Sequence, residues 1–571
     1  MHYTHRIVKT ILDWRSLPEG CGMFSNDIKP LYSTFQHYKD FQVEIIYAEF
    51  KKNLSEAFVG VRGYRVRFIS IDDMLEHDGA VSYAAHGLKA KTDKILLLEN
   101  TAFCFFDAES SRLFISPSHQ TAFLSGVELF FTEVNLSNPL WRLEALDSFS
   151  ANHVGPWHRR VIQAECAQLP SSVVFNPENI HEYAVNTALF GEPGIYLWQG
   201  PPGTGKTKAI ADFVVRFLDT TTKKLMICAH SNEAVARIVQ TLSSVIPHRL
   251  VAWYVTKEGL QDHNSGFYQR TIIQNSYHPT GRRVHLSTCT HSHVIPADLM
   301  FDWFVLDEGA FCPEADLLVA LMHFTMDRMS KLILVGDPMQ LPPVLTMFKG
   351  NQKCGSLMGR CMHATRHPYI TFNVSYRIGP LCAMFLEKHF YAHIRFQSFQ
   401  YIRETSLLRN GSQFPEMVFI DVEDGKEEKV GFSPKNDEHG LIVKKLVATL
   451  QLNGVPQSNI VVVTPYAEQE ALIKAKLRND RDENIHVSTV HGMQGSERKF
   501  IILDTVRSVS VGFLADKHLM CVSISRQKTF LVVVGSAKLL RSIPIWDTFL
   551  AFLDGFGSVV GPAWIDTFTK T

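Results

Sequence analysis

A glycine-rich loop stands between an apolar run and an amphipathic stretch, and this placement constrains the fold more than any other feature. The loop reads GPPGTGKT over residues 200–207 and fits the pattern G-x-x-x-x-G-K-[ST]. The run GIYLWQ before it predicts a strand buried on both faces. After it, Ile210, Phe213, Val214 and Phe217 recur with helical spacing. A strand, a loop and a helix in this order predict a phosphate-binding loop in an α/β domain.

Short apolar runs alternate with helical stretches along the chain after residue 150. The first series contains KLMICA, FDWFVLD and KLILVGD, and the second contains MVFIDV, NIVVVTP, KFIILDTV and TFLVVVGS. Such runs are typical of parallel strands covered by helices on both faces. We therefore predict an α/β fold with two parallel-sheet domains, at residues 151–365 with the nucleotide site and at 366–550. Residues 551–571 are predicted to form a C-terminal tail.

The first 150 residues have a different pattern. Short β-rich runs such as GYRVRFISI, KILLLEN and VELFFTEV are separated by polar or glycine-bearing breaks. This pattern predicts a small antiparallel, barrel-like unit at residues 1–150.

Composition limits the classes of function. The chain has 571 residues with 57 Lys+Arg and 57 Asp+Glu, so any nucleic-acid contact must come from a local groove. It contains no signal-like segment and no apolar run of about 18 residues, so we expect no membrane span and a location in the nucleus or cytoplasm. None of the ten cysteines forms C-x-x-C, which favours buried thiols in a reducing compartment over disulfides or zinc.

The loop and two later motifs carry side chains that suit the binding and cleavage of a nucleoside triphosphate, which we therefore predict. Lys206 can reach the β and γ phosphates, and the Thr207 hydroxyl can bind Mg²⁺. The run FVLDE ends in Asp307, a predicted second Mg²⁺ ligand, and Glu308, a predicted base for the attacking water. Gln340, in GDPMQ, follows another apolar run, from which it could sense the γ phosphate. The predicted nucleotide contacts in the loop are Gly200, Pro201, Pro202, Gly203, Thr204, Gly205, Lys206 and Thr207.

Eight sequence blocks stand in the order found in helicases. They are GPPGTGKT (200–207), CAHSNEAV (228–235), VLDEGA (305–310), GDPMQLPP (336–343), SYRIGP (375–380), VVVTPY (461–466), VHGMQGSE (490–497) and VSISRQK (522–528). Together they resemble the motifs of superfamily-one helicases of the Up-frameshift-like branch, which includes senataxin and aquarius. The resemblance covers about residues 175–540 and implies two RecA-like domains, ATP and Mg²⁺ as cofactors, and an accessory role for residues 1–150.

The resemblance also implies residue roles. Arg377 and Arg526 are similar to arginine fingers, which stabilise charge on the γ-phosphoryl group. Tyr376 resembles the residue that stacks on adenine, and Glu497 the residue that contacts ribose. The positions implied to contact the nucleic-acid backbone are Ser231, Asn232, Thr464 and Thr489, with a base platform at Pro465 and Tyr466. Helix caps and strand-end hydrogen bonds are the alternative for these polar side chains.

Four positions depart from the family pattern. The glutamine that reads adenine should fall near 176–185, where this chain has Asn179 and His181, so strict ATP preference is open. Ser375 replaces a glutamine, His491 an aspartate and Cys521 an asparagine. These departures indicate a divergent member of the family.

Two functional hypotheses follow. The first is an ATP-dependent helicase or translocase on single-stranded RNA or DNA, with the 5′-to-3′ polarity that the resemblance implies and with protein partners that the sequence does not identify. The second is a nucleic-acid-binding scaffold that uses ATP as a weak switch and unwinds little. A signalling GTPase or transporter ATPase is disfavoured because no N-K-x-D motif or transporter signature accompanies the loop.

Overall fold

The computed structural model describes most of the chain after residue 178. It describes residues 179–255, 272–273, 281–296, 298–323, 331–343, 355–364, 367–399, 414–423, 425–431, 433–478, 485–490, 492–493 and 497–568. Before these, it describes residues 42, 46, 63–67, 75–77, 80–84, 94–98, 102–107, 111–115, 128–133, 141–143, 145–146, 160–161 and 166. His491, one of the four departures from the family pattern, lies outside the described residues.

A seven-stranded antiparallel sheet occupies the N-terminal region. Its strands are β1 (Gly63–Arg67), β2 (Leu75–His77), β3 (Ala80–Ala84), β4 (Lys94–Leu98), β5 (Ala102–Asp107), β6 (Arg112–Ile115) and β7 (Glu128–Glu133). They pair in the order β1-β7-β4-β5-β6-β3-β2. Closure of this sheet into a barrel, and its accessory role, stay predictions.

The first lobe is built on an eight-stranded parallel sheet with the order β11-β10-β12-β9-β13-β14-β8-β15. Its strands are β8 (Gly194–Gln199), β9 (Leu225–Ala229), β10 (Val251–Tyr254), β11 (Ile272–Ile273), β12 (Val284–Thr288), β13 (Trp303–Leu306), β14 (Lys331–Gly336) and β15 (Ile370–Thr371). Its helices are α1 (Ile180–Phe190), α2 (Lys206–Thr220), α3 (Asn232–Ser243), α4 (Glu314–Leu321) and α5 (Leu357–Ala364). Separate hydrophobic clusters cover the two faces of this sheet, as expected for continuous apolar strands.

The second lobe contains a six-stranded parallel sheet with the order β22-β21-β23-β24-β18-β25. The strands of this lobe are β16 (Val374–Ser375), β17 (Gln397–Ser398), β18 (Met417–Asp421), β19 (Glu427–Val430), β20 (Ser433–Asn436), β21 (Ile460–Thr464), β22 (His486–Thr489), β23 (Arg498–Asp504), β24 (Gln527–Gly535) and β25 (Val559–Val560). Its helices are α6 (Pro380–His389), α7 (Asp437–Leu452), α8 (Ala467–Arg478), α9 (Lys517–Ile524), α10 (Ala537–Leu540) and α11 (Pro544–Asp554). The two parallel sheets confirm the predicted α/β core.

Strands near the predicted domain boundaries pair across them. β15 follows the boundary drawn at residue 365, yet it pairs with β8 of the first lobe. β25 lies in the predicted tail and pairs with β18 of the second lobe. In the described part of the chain, no helix is both long enough and apolar enough to cross a membrane.

Buried arginines tie N-terminal segments to the first lobe. Arg142 donates from Nε to Asp316 Oδ1 at 2.5 Å, and Asp316 lies in α4. Arg360 of α5 pairs with Glu314 of α4 and also donates to the carbonyl of Val161. Apolar side chains from the same segments join the core of this lobe, so these segments pack as part of it.

The ring of Phe213 anchors α2 on the sheet, and its loss should destabilise the first lobe. It is fully buried against Trp198 and Trp303, so Phe213→Ala should lower the free energy of unfolding by about 3–5 kcal/mol. Phe190→Ala is the matched control, because that ring is 67% exposed. Urea denaturation followed by tryptophan fluorescence checks this, and equal midpoints for both variants would contradict it.

Candidate active site

The glycine-rich loop joins β8 to α2, as the sequence predicts. Gly203 and Gly205 have φ values of 74° and 82°, a region that side chains other than glycine rarely adopt. Lys206 begins α2, and its Nζ donates to the carbonyl of Gly200 at 2.5 Å. The loop from Pro202 to Thr207 lines a cleft of about 300 Å³, here called the phosphate cleft. Residues from both lobes line this cleft.

The predicted metal and base carboxylates lie at the end of β13 and line the same cleft. Asp307 is buried, and its Oδ1 accepts the backbone N–H of Glu308 at 2.9 Å. Glu308 has a positive φ of 54°, which is rare for a residue with a side chain. Burial raises the pKa of both carboxyl groups, while Arg237 opposes the shift in each.

Lys206 is a second cation of the first lobe, beside Arg237, that interacts with acids in the cleft. Burial lowers its pKa, and the carboxylates of Asp337 and Asp307 oppose that shift. A lysine placed between two carboxylates at a helix N-terminus suits the binding of phosphate oxygens.

A chain of hydrogen bonds crosses from the first lobe to the second through Gln340. Its side-chain amide donates to Asp337 Oδ2 at 2.8 Å, and Arg526 Nη2 donates to its Oε1 at 3.0 Å. The hydroxyl of Tyr391 also donates to Asp337 Oδ2, at 2.6 Å, and lies 3.5 Å from Cys521 Sγ. Burial lowers the pKa of Arg526 to about 10, with the nearby Arg377 adding to the shift.

Arg377, the other predicted arginine finger, pairs with an acidic residue of its own lobe. Arg377 forms an ion pair with Glu497, and Glu497 also pairs with Lys528 at 2.8 Å. Burial opposes the shift, yet Arg377 and Lys528 lower the pKa of Glu497. The phosphate loop meets this segment directly, because the N–H of Tyr376 donates to the carbonyl of Gly203 at 2.9 Å.

Tyr376 separates the phosphate cleft from a second, wider cleft. Its ring is 53% exposed and lines both clefts. His181 lines the second cleft, which has a volume of about 640 Å³, and contacts Phe372 with ring centroids 4.4 Å apart. A ring nitrogen of His181 also lies 2.8 Å from the carbonyl of Thr204, so this side chain supports the phosphate loop. Asn179 caps α1 by accepting the N–H of Glu182.

The predicted nucleic-acid contacts lie at strand and helix ends. Ser231 is the N-cap of α3, where its hydroxyl accepts the N–H of Ala234 at 3.2 Å, and Asn232 is the first residue of that helix. Thr464 ends β21 and is buried, whereas Thr489 ends β22 and accepts the N–H of Gly492. Contact of these residues with nucleic acid stays a prediction.

The predicted base platform at Pro465 and Tyr466 lies beside a second aromatic ring. Tyr466 is largely buried, stacks on Phe513 with ring centroids 5.6 Å apart and has the Arg507 guanidinium 5.6 Å from its ring. Phe513 is the exposed member of this stack. Stacking of a base on this pair stays a prediction.

Sequence reasoning gave no role to three residues of the site: Asp337, whose carboxylate accepts from Gln340, and also Arg237 and Tyr391. Arg237 of α3 lies with Nη2 3.4 Å from Glu308 Oε1 and lines the phosphate cleft. Tyr391 follows α6 and reaches Asp337 across the lobes. The one available signal was the spacing of Arg237 after the Ser231 cap. That spacing indicates the face of the helix on which Arg237 lies, but not its partner.

Six of the eight blocks that resembled helicase motifs thus contribute residues to one cleft, and comparisons with known proteins agree with the resemblance. Two family models, both described as an AAA domain, match residues 178–261 with 280–347 and residues 354–538. A regulator of nonsense transcripts 1 homolog from Arabidopsis thaliana is 28% identical over 415 residues. The probable helicase senataxin of Homo sapiens is 28% identical over 283 residues. The chain belongs to the Up-frameshift-like branch of superfamily-one helicases.

The coverage of these relatives is partial. The Arabidopsis match spans 62% of this chain and 32% of the relative, and the senataxin match spans 46% and 10%. The chain therefore covers a third or less of the length of these relatives. A solved structure of Arterivirus nonstructural protein 10 (helicase) with DNA aligns over 64% of this chain and 65% of that one, at 13% identity and a TM-score of 0.35.

Gly203 is required where the loop meets the second lobe. A Cβ on Gly203 would lie 2.4 Å from the Cβ of Arg377 and 2.5 Å from Ser375 Oγ, so Gly203→Ala should separate the loop from that segment. Gly281→Ala is a matched control, because Gly281 has a similar φ of 81° but no atom of the described residues within 4 Å of its Cβ position. We expect at least about a tenfold loss of Mg-ATP affinity for Gly203→Ala alone, measured by calorimetry. Equal affinities for the two variants would refute the steric argument.

Proposed function

We propose that this chain is an ATP-driven helicase or translocase that moves along single-stranded RNA or DNA. One observation carries the proposal: Arg377 and Arg526 of the second lobe line the cleft that contains Lys206 and Glu308 of the first. A site completed by two lobes can close when nucleotide binds and reopen after hydrolysis. That cycle would move one lobe along a bound strand relative to the other.

The nucleotide would lie across the two clefts that meet at Tyr376. The loop N–H groups and Lys206 would bind the phosphates, and the exposed ring of Tyr376 would stack on the base. His181 is engaged with Thr204, which leaves the choice between ATP and other nucleotides to the rest of the second cleft. Glu497, held by Arg377 and Lys528, would contact the ribose.

The donors beside the phosphate site fit Mg²⁺. Thr207 offers a hydroxyl and Asp307 a buried carboxylate in the same cleft, and Mg²⁺ in proteins commonly takes one or two carboxylates together with substrate phosphates. When bound, Mg²⁺ would neutralise charge on the β and γ phosphates.

Hydrolysis would use groups from both lobes. Glu308 would accept the proton of the attacking water, because its Oε2 is buried and has no hydrogen-bond partner among the described residues. Arg377 and Arg526 would stabilise charge on the γ-phosphoryl group. Gln340 touches both Asp337 and Arg526, so it would report the state of the γ phosphate to the second lobe.

The bound nucleic acid would run over the ends of the β-strands and the helix that carry Ser231, Asn232, Thr464 and Thr489. Contacts from such residues to sugar and phosphate would bind a strand without reading its sequence.

We propose 5′-to-3′ movement, which a strand-displacement assay checks. Duplexes with a 5′ overhang should be unwound, and unwinding only from 3′ overhangs would contradict this polarity.

ATP hydrolysis should depend on nucleic acid and on Glu308. We expect poly-U RNA or poly-dT DNA to stimulate hydrolysis by the purified protein. Glu308→Gln should lower kcat at least about 10²-fold, since it keeps the size of the side chain but removes the base. ATP binding by this variant should persist in calorimetry. Absence of hydrolysis in the wild type, with nucleic-acid binding intact, would instead favour the switch-like scaffold.

Loss of either arginine of the second lobe should slow chemistry more than binding. Arg377→Gln and Arg526→Gln should each lower kcat by about 10³-fold or more, the range measured for arginine fingers. Arg541→Gln is the control, because Arg541 pairs with Asp554 on the exposed surface of the same lobe. Single-turnover hydrolysis separates the two steps, and a variant with full kcat and weakened binding would remove that arginine from the catalytic role.

A further inference from the structure

An ion pair connects α3 to the predicted catalytic base. Arg237 Nη2 lies 3.4 Å from Glu308 Oε1, with side chains 36% and 12% exposed, respectively. Arg237 Nε also donates to the carbonyl of Glu233, one turn earlier in the same helix, which directs the guanidinium group. The contact therefore joins a helix of the first lobe to the base without passing through the phosphate loop.

The main chain of Glu308 is fixed, whereas its side chain has one ion-pair partner in the described residues. Its N–H donates to Asp307 Oδ1, and its carbonyl accepts the N–H groups of Phe311 and Cys312 at 2.9 and 3.1 Å. Oε2 is buried and has no hydrogen-bond partner within the described part of the chain. The direction in which the carboxylate points thus depends on Arg237 through Oε1.

α3, which carries this arginine, is capped and packed against the first lobe. Ser231 caps the helix, and its apolar side packs into the core of the lobe. Arg237 follows Asn232 by five residues, or about 7.5 Å along the helix axis. The end of the helix that is proposed to meet the nucleic-acid backbone is therefore about 1.4 turns from the residue that contacts the base.

We propose that Arg237 is a positioning residue that couples nucleic-acid binding to hydrolysis. A strand bound at the start of α3 fixes the helix, and with it the guanidinium that holds Glu308 with Oε2 directed toward the attacking water. This inference rests on the proposed function, because it requires an ATPase that nucleic acid stimulates. A misplacement of about 1 Å in a catalytic group can cost about 10²-fold in rate, so a small shift of α3 is sufficient.

The test compares Arg237→Gln and Arg237→Lys with Arg249→Gln, an exposed arginine that follows α3. For each, kcat and KM for ATP are measured with and without poly-U RNA and poly-dT DNA, and strand affinity is measured by fluorescence anisotropy. We expect Arg237→Gln to lower the ratio of stimulated to unstimulated kcat about tenfold, with KM and strand affinity within about twofold of wild type. Arg237→Lys should recover part of the ratio, because it keeps the charge without the planar fork. Arg249→Gln should keep the wild-type ratio.

Other results would overturn the inference. Equal losses of kcat with and without polymer, together with a raised KM, would make Arg237 a phosphate contact. A parallel loss of strand affinity would show that Arg237 contacts the nucleic acid. A rise in the unstimulated rate would show that Arg237 inhibits Glu308. An unchanged ratio would reduce the pair to a surface contact. A wild type without hydrolysis or stimulation would refute the proposed function itself, which is a separate outcome.

Discussion

The structure depends on a group of buried and partly buried charged side chains in the cleft between the two lobes. The group consists of Lys206, Asp307, Glu308, Asp337, Arg377 and Arg526. A buried charge is costly unless another charge or hydrogen bond compensates it, so neither lobe could bury its share alone. Lys206 meets acids of its own lobe, whereas Arg526 meets the first lobe through Gln340. The contacts of these charged groups therefore connect the two lobes.

Local patterns predicted the elements of this site because they depend on short stretches of chain. The loop from Gly200 to Thr207, the carboxylates after β13 and Gln340 after β14 each follow an apolar strand, and parallel strands end at the same edge of a sheet. Arg377 and Arg526 required the family resemblance, since an arginine in isolation is more often part of a surface salt bridge. The order of the strands within each sheet was not predicted, because it depends on contacts between distant segments.

Long-range contacts account for most of what the sequence did not reveal. Arg142 pairs with Asp316, 174 residues away, and Arg360 reaches the carbonyl of Val161, 199 residues away. Nothing in the local sequence distinguishes these arginines from exposed ones, because their burial results from packing of N-terminal segments against α4 and α5. Arg237 was missed for the same reason: its helix was predictable, but its partner was not.

Two of the departures from the family pattern, Cys521 and Ser375, can be related to local contacts of this chain. Cys521 is buried and lies 3.5 Å from the hydroxyl of Tyr391, which donates to Asp337, so a tyrosine supplies the polar contact to that carboxylate. The small side chain of Ser375 allows Gly203 to approach, while its hydroxyl accepts the N–H groups of Arg377 and Ile378. In both places a smaller residue is accompanied by a hydrogen bond from a neighbour. The side chains that connect the lobes at these two positions therefore differ from the family pattern, and they lie beside the cations and carboxylates that line the cleft.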